Sequence, residues 1–249
     1  ADSVGPIPSL EEAYDPKSKE SIRKGSYPKE VDMVKELDAF AAVFKKYNVQ
    51  LYRPNVLEDV NQIFSRDTAF VINDNIVVAN MLKARSEEIH AIDHVVDQIP
   101  EERVLRLHDH VRIEGGDVMP WNGFLFIGYS EPEDFNRFKV SSTNVEGVEF
   151  LRNHFSDLDV RSFELVKSDK DPMANALHLD CCFQPIGKNQ AIMYKGGFKN
   201  QADVEFLESY FGKENIIEID AREMYLMYSN VFSISPEVIV SERTFTRLN

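Results

Sequence analysis

Apolar residues recur at every second position over short runs, then at every third or fourth position over longer ones. The first spacing predicts a half-buried strand and the second an amphipathic helix. In EVDMVKELDAFAAVFKKYN (30–48), Val34, Leu37, Phe40, Ala41 and Phe44 share one helical face, and VQLYRP (49–54) reads as a strand. TAFVINDNIVVAN (68–80) predicts a hairpin turning at Asn73, Asp74 and Asn75, residues that tolerate the positive φ of tight turns. A helix is expected over SEEIHAIDHVVDQI (86–99), with Ile89, Ile92, Val95 and Ile99 on one face, and a strand over RVLRLHD (103–109).

The same order then recurs. VRIEGGDVMPWNGFLFIGYS (111–130) predicts a hairpin turning at Asn122-Gly123, followed by the helix NVEGVEFLRNHF (144–155) and the strand VRSFELV (160–166). LHLDCCFQPIGKNQAIMYKGG (177–197) predicts another, with CCFQPI as its first strand, then the helix QADVEFLESYF (201–211) and the strand NIIEID (215–220). A last hairpin, NVFSISPEVIVSE (230–242), leads into TFTRLN (244–249), which reads as a helix start. Before the first helix, DPKSKESIRKGSYPKE (15–30) reads as an irregular arm, and YSEPEDFNRF (129–138) as a surface loop. Repeated hairpin–helix–strand units predict one closed, pseudo-symmetric α/β domain over residues 1–249. A doubly wound nucleotide-binding sheet is disfavoured, because neither G-x-G-x-x-G nor G-x-x-x-x-G-K-[ST] occurs.

Within this repeat, polar residues fall at equivalent strand starts. Asp67 precedes TAFVIN, Glu114 and Asp117 flank Gly115-Gly116, His178 and Asp180 open the third hairpin, and Asn230 opens the fourth. If the units surround an axis, these side chains converge on it. Several carboxylates crowded together need a cation; a guanidinium fits because its planar N–H fork matches paired oxygens, and a divalent metal is the other possible guest. Taken singly, each residue has an ordinary reading as a turn cap or a hydrogen-bonded histidine. Zinc is disfavoured, because HLDCC carries none of the usual ligand spacings.

FSRD (64–67), EGGD (114–117) and HLD (178–180) follow the order and approximate spacing of motifs in the guanidino-group-modifying enzymes. That superfamily includes arginine deiminases, dimethylarginine dimethylaminohydrolases and arginine:glycine amidinotransferases, and the chain resembles it from about residue 30 onward. The resemblance implies a five-bladed α/β propeller of ββαβ units. It implies that Asp67 and Asp180 grip a substrate guanidinium and that His178 is the general acid/base. Glu114 is similar to the carboxylate that orients this histidine, and Asp117 to a partner of the EGGD turn grouped with the substrate-binding carboxylates. The implied chemistry is attack by a cysteine thiolate, giving a covalent amidino-cysteine that water or an acceptor amine resolves. In the superfamily that cysteine lies well beyond HLD, so the expectation is a chain lacking terminal segments, with Cys181 and Cys182 structural. Arg66, Arg85 and Arg137 are candidates for binding a substrate carboxylate.

Charge and composition narrow the reading further. A net charge of -14 argues against binding nucleic acid or an anionic membrane and suits a small cationic guanidino substrate. No apolar run reaches the ~20 residues that cross a membrane, and two adjacent cysteines fit a reducing cytoplasm. No cofactor is expected, and homo-oligomerisation stays open. Hydrolysis of arginine or a derivative is the favoured function. Amidino transfer to an amine such as glycine is the alternative, and an inactive arginine-binding homologue the third.

Overall fold

The computed structural model describes residues 5–248. The chain forms two compact units, Ala1–Gly115 and Gly116–Asn249, and its architecture is mixed α/β with small sheets.

In the N-terminal unit, α1 (Pro16–Arg23) forms where an irregular arm was expected. The local reason is its cap: the Asp15 side chain accepts from Ser18 N, and Pro16 occupies the first turn. α2 (Glu30–Lys46) begins where expected and ends two residues early, and of its predicted apolar face only Phe44 is buried. Residues 49–54 take no regular secondary structure and have no ladder partner among the described residues.

Strands β1 (Ala69–Ile72) and β2 (Asn75–Val78) make the expected antiparallel hairpin, with Asn73 at φ 52° in its turn. β3 (Val104–Arg106) pairs parallel to β2, and parallel pairing requires a long crossover. That crossover departs from expectation. It is a 3-10 helix over Lys83–Ile92, ending in the single α-turn α3 (Asp93–Val96). With three residues per turn, positions three apart eclipse. The buried side chains are therefore Arg85, Glu88 and Ala91, not the isoleucine face of a 3.6-residue period. Ile72, Val77, Met81 and Ile113 fill this unit's core.

The C-terminal unit repeats the pattern twice. β4 (Val118–Trp121) and β5 (Phe124–Tyr129) form a hairpin whose turn residues, Asn122 (φ 44°) and Gly123 (φ 83°), both take the left-handed backbone of a type I′ turn. The segment read as a surface loop contains the short helix α4 (Pro132–Arg137). α5 (Val145–His154), capped by Asn144, then leads to β6 (Asp159–Glu164), parallel to β5. β7 (Phe183–Ile186), β8 (Gln190–Met193), α6 (Gln201–Phe211) and β9 (Ile216–Glu218) repeat that order. After α7 (Ala221–Tyr225), with an Asp220–Glu223 capping box, comes the hairpin β10 (Phe232–Ser235) and β11 (Val238–Val240). Residues 243–248 form turns where a helix start was expected, and Asn249 lies outside the described residues.

An aromatic cluster centres this unit. Phe126 lies 5.7 Å from Phe163 and 5.9 Å from Phe183, and Phe183 lies 5.9 Å from Phe211, ring centre to ring centre. All four rings are buried, so the sheets and α6 share one apolar contact. These distances lie in the range where edge-on and offset aromatic pairs are favourable.

Candidate active site

Each of the three motifs folds the same way. A 3-10 turn precedes the first strand of each three-stranded sheet: Ser65–Asp67 before β1, Gly115–Asp117 before β4, and Leu179–Cys181 before β7. The turn holds the motif side chain at a fixed point before the chain extends.

In the N-terminal unit, Gly115 lets two of the motifs meet. A Cβ at Gly115 would lie 2.1 Å from the Arg66 carbonyl oxygen, so a side chain there would drive EGGD off FSRD. The predicted residues Asp67 and Glu114 are both buried, and both bind the Arg85 guanidinium. Arg85 Nη1 donates to Asp67 Oδ2 (2.8 Å) and to Glu114 Oε2 (3.1 Å). Its Nε and Nη2 donate to Glu88 Oε1 and Oε2, each at 2.7 Å, which is the two-pronged geometry of a strong pair. Glu114 Oε1 accepts from Leu82 N at 2.9 Å.

Three carboxylates thus surround one guanidinium. Burial works against the Arg85 charge, but Tyr14 and the Glu88, Glu114 and Asp67 carboxylates hold its pKa above the ordinary value. Burial also raises Glu88, with Arg85 opposing, and strongly raises the Tyr14 phenol. Arg85 was a candidate for a substrate carboxylate; in this structure its donors go to Asp67, Glu88 and Glu114 instead. Arg66 is exposed, and Arg137, also exposed, stacks over the Phe138 ring at 4.9 Å.

In the C-terminal unit the structure brings Asp117 to the HLD segment. Asp117 Oδ1 accepts from Leu179 N at 2.9 Å. Its Oδ2 accepts from Thr143 Oγ1 (2.7 Å) and Ser142 Oγ (3.2 Å). Burial raises the Asp117 pKa, against the lowering influence of His178, Lys167 and these hydrogen bonds. Gly128 makes room for the arrangement. A Cβ there would lie 2.6 Å from Asp117 Oδ1 and 2.9 Å from Leu179 Cβ. His178 and Asp180 are both buried, His178 on extended backbone just before the turn. Asn230, at the corresponding stage of the last hairpin, is exposed; its buried neighbour Ser229 donates to the Cys181 carbonyl at 2.6 Å.

Both cysteines precede β7 instead of lying within it, so the face alternation of a strand does not apply to them. Both are free thiols and both are buried. Burial pushes the Cys182 thiol far up, so it stays protonated, which is the opposite of what a nucleophile needs. Its Sγ donates to the Leu179 carbonyl at 3.5 Å.

Three residues of these clusters went unnoticed in the sequence. Glu88 had a signal, because 85, 88 and 91 repeat at three-residue spacing, but a helix of 3.6-residue period conceals it. Tyr14 and Lys167 gave none, since each stands in a polar stretch where an exposed side chain is the ordinary expectation.

A family model described as "N,N dimethylarginine dimethylhydrolase, eukaryotic" matches residues 11–249. Among curated proteins, the uncharacterized protein YkgA of Bacillus subtilis (strain 168) is 25% identical over 201 residues, covering 79% of this chain and 62% of that protein. The chain therefore spans less than two thirds of the length of that relative. Among solved structures, the N-terminal domain of ArgZ bound to substrate, an arginine dihydrolase from the ornithine-ammonia cycle in cyanobacteria, superposes with a TM-score of 0.75. It is 16% identical, over 96% of this chain and 82% of that one. The dimethylarginine dimethylaminohydrolase of Pseudomonas aeruginosa, complexed with citrulline, gives a TM-score of 0.67 at 17% identity, over 89% and 77% of the two chains. At these identities the structural likeness establishes the fold.

Proposed function

The chain belongs to the eukaryotic N,N-dimethylarginine dimethylhydrolase family, and from that membership we propose that it hydrolyses a guanidino C–N bond of arginine or a methylated arginine. The observation that carries this reading is the shared placement of the three motifs. Each forms a 3-10 turn at the start of a sheet, and each supplies a buried ionisable side chain there. On this reading the three-stranded sheets and the β10–β11 hairpin are blades of a five-bladed propeller, and residues 1–249 belong to one catalytic domain.

Asp67 and Asp180 grip the substrate guanidinium, and their charge and paired oxygens suit a flat cation. His178 is the general acid/base, oriented by Glu114, while Asp117 fixes the turn that carries it. A thiolate attacks the guanidinium carbon and forms an S–C bond. The C–N bond then breaks, and the amine leaves with a proton from the imidazolium. His178, now neutral, takes a proton from water, whose oxygen attacks the amidino carbon. The ureido product and the thiolate are released. The carboxylates contribute by holding the carbon in line with sulfur.

The attacking thiol is not Cys182, whose burial keeps it protonated, and buried Cys181 is assigned a structural role. Neither cysteine of these 249 residues is assigned the attack.

The test uses the full-length gene product with arginine or Nω,Nω-dimethylarginine, with and without glycine. Hydrolysis predicts citrulline, together with ammonia or dimethylamine, independent of glycine, and loss of turnover in His178→Ala. Ornithine that forms only when glycine is present would replace the hydrolase by an amidinotransferase. Absence of both products would leave an arginine-binding homologue.

A further inference from the structure

We propose that Lys167 is a positioning residue for His178, holding the backbone immediately before the histidine so that the imidazole keeps one orientation. The proposal rests on the reading of His178 as the acid/base.

The geometry begins with the loop between β6 and HLD. Its neck is closed twice: Ala176 N donates to the Val166 carbonyl at 2.9 Å, and Ser168 N donates to Asn175 Oδ1 at 3.1 Å. Residues 166–168 and 175–177 therefore run side by side. The residues between them include the exposed Lys170, Asp171, Met173 and Ala174, so the tip itself gives HLD little support.

Lys167 sits at this neck and is only 7% exposed. Its Nζ donates to the carbonyls of Ala176 (2.9 Å) and Leu177 (2.5 Å), the two residues directly before His178. On the other side of the histidine, Asp117 holds Leu179 N at 2.9 Å. His178 is thus bracketed: a lysine ammonium fixes the two carbonyls before it, and a buried carboxyl group fixes the amide after it.

A buried ammonium is costly, and an apolar side chain of similar length often serves stability as well or better. An ammonium presents several donors from one point, so it can hold two successive carbonyls at once, which no apolar side chain can do. Lys167 and Asp117 also interact electrostatically, which offsets part of the cost of burying each. Nothing in the stability argument requires a lysine here, whereas fixing residues 176–178 does.

The decisive measurement needs no turnover. Histidine-labelled protein gives ring resonances that include those of the six histidines in these 249 residues, and His178→Gln identifies that of His178. In Lys167→Met the His178 ring signals are expected to shift and broaden while the other histidine signals stay in place. In the active enzyme, kcat is expected to fall about 100-fold with KM unchanged, the usual scale for a reacting group misplaced by ~1 Å.

The double variant Lys167→Met/Asp117→Asn also removes the carboxyl group left without its cation. It is expected to regain the wild-type melting temperature without regaining the wild-type His178 signal, and it carries the same spectrum if the single variant folds poorly. An unchanged His178 signal in Lys167→Met would overturn the proposal, as would its full recovery in the double variant, because Lys167 would then serve only as a counter-ion. Failure of the hydrolase reading would be seen separately, as absence of product from wild-type protein.

Discussion

Asp117 is fully buried, and its pKa lies above the ordinary carboxylate value because burial outweighs His178, Lys167 and two kinds of hydrogen bond. The folded protein therefore holds this proton more tightly than the unfolded chain does. Between the ordinary and the raised pKa, stability from this group falls as pH rises, and above the raised value the full cost of the buried charge remains. Asp117→Asn keeps an oxygen for Leu179 N and removes the charge. Its stability relative to wild type should grow as pH climbs through that window and then level off, as read from urea midpoints at a series of pH values.

Arg85 carries the reverse risk. Arg85→Met leaves Asp67, Glu88 and Glu114 buried without their guanidinium and should cost about 3–5 kcal/mol, measured by denaturant unfolding. That Asp67 and Glu114 are buried carboxylates facing a guanidinium follows from the structure, with Glu88 as a third partner. That the chain supplies this guanidinium from Arg85 was not legible in the sequence, because the partner depends on a 3-10 backbone that places 85 and 88 on one inward face.

Hairpins were the most legible elements, since Asn73, Asn122 and Gly123 state their turn geometry outright. The crossover over Lys83–Ile92 winds as a 3-10 helix although its isoleucines also satisfy a 3.6-residue period, and the side chains it buries are Arg85, Glu88 and Ala91. Residues 49–54, strand-like in sequence, take no regular secondary structure and have no pairing strand among the described residues. Gly128 on β5 shows how an element sets the site. Gly128→Ala would place a Cβ 2.8 Å from Leu165 Cδ1 as well as against Asp117 and Leu179. It should lower stability by about 1–3 kcal/mol, read as a lower melting temperature, because overpacking forces neighbouring side chains aside.

At the scale of the whole molecule, three short motifs in order pointed to the superfamily, and the family model over residues 11–249 bears that out. The repeat was legible as well: a hairpin with a parallel third strand recurs in three sheets, and a hairpin closes the series. The common setting of the motifs was not readable from any one of them. Each is a few polar residues that would ordinarily be a turn cap, and only their common position before a first strand gives them meaning. Among the described residues, no helix is long and apolar enough to cross a membrane. The -14 charge fits a cationic ligand without specifying one.

The proposed function requires Asp67 and Asp180 each to contribute to guanidinium binding. Calorimetric titration of the full-length gene product with Nω,Nω-dimethylarginine, beside Asp67→Asn and Asp180→Asn, tests it most directly. The account predicts one binding event per chain, weakened at least about tenfold by either substitution, since each removes ~1.4 kcal/mol or more of charge-assisted hydrogen bonding. Wild-type affinity in either variant, or no heat with wild-type protein, would contradict it.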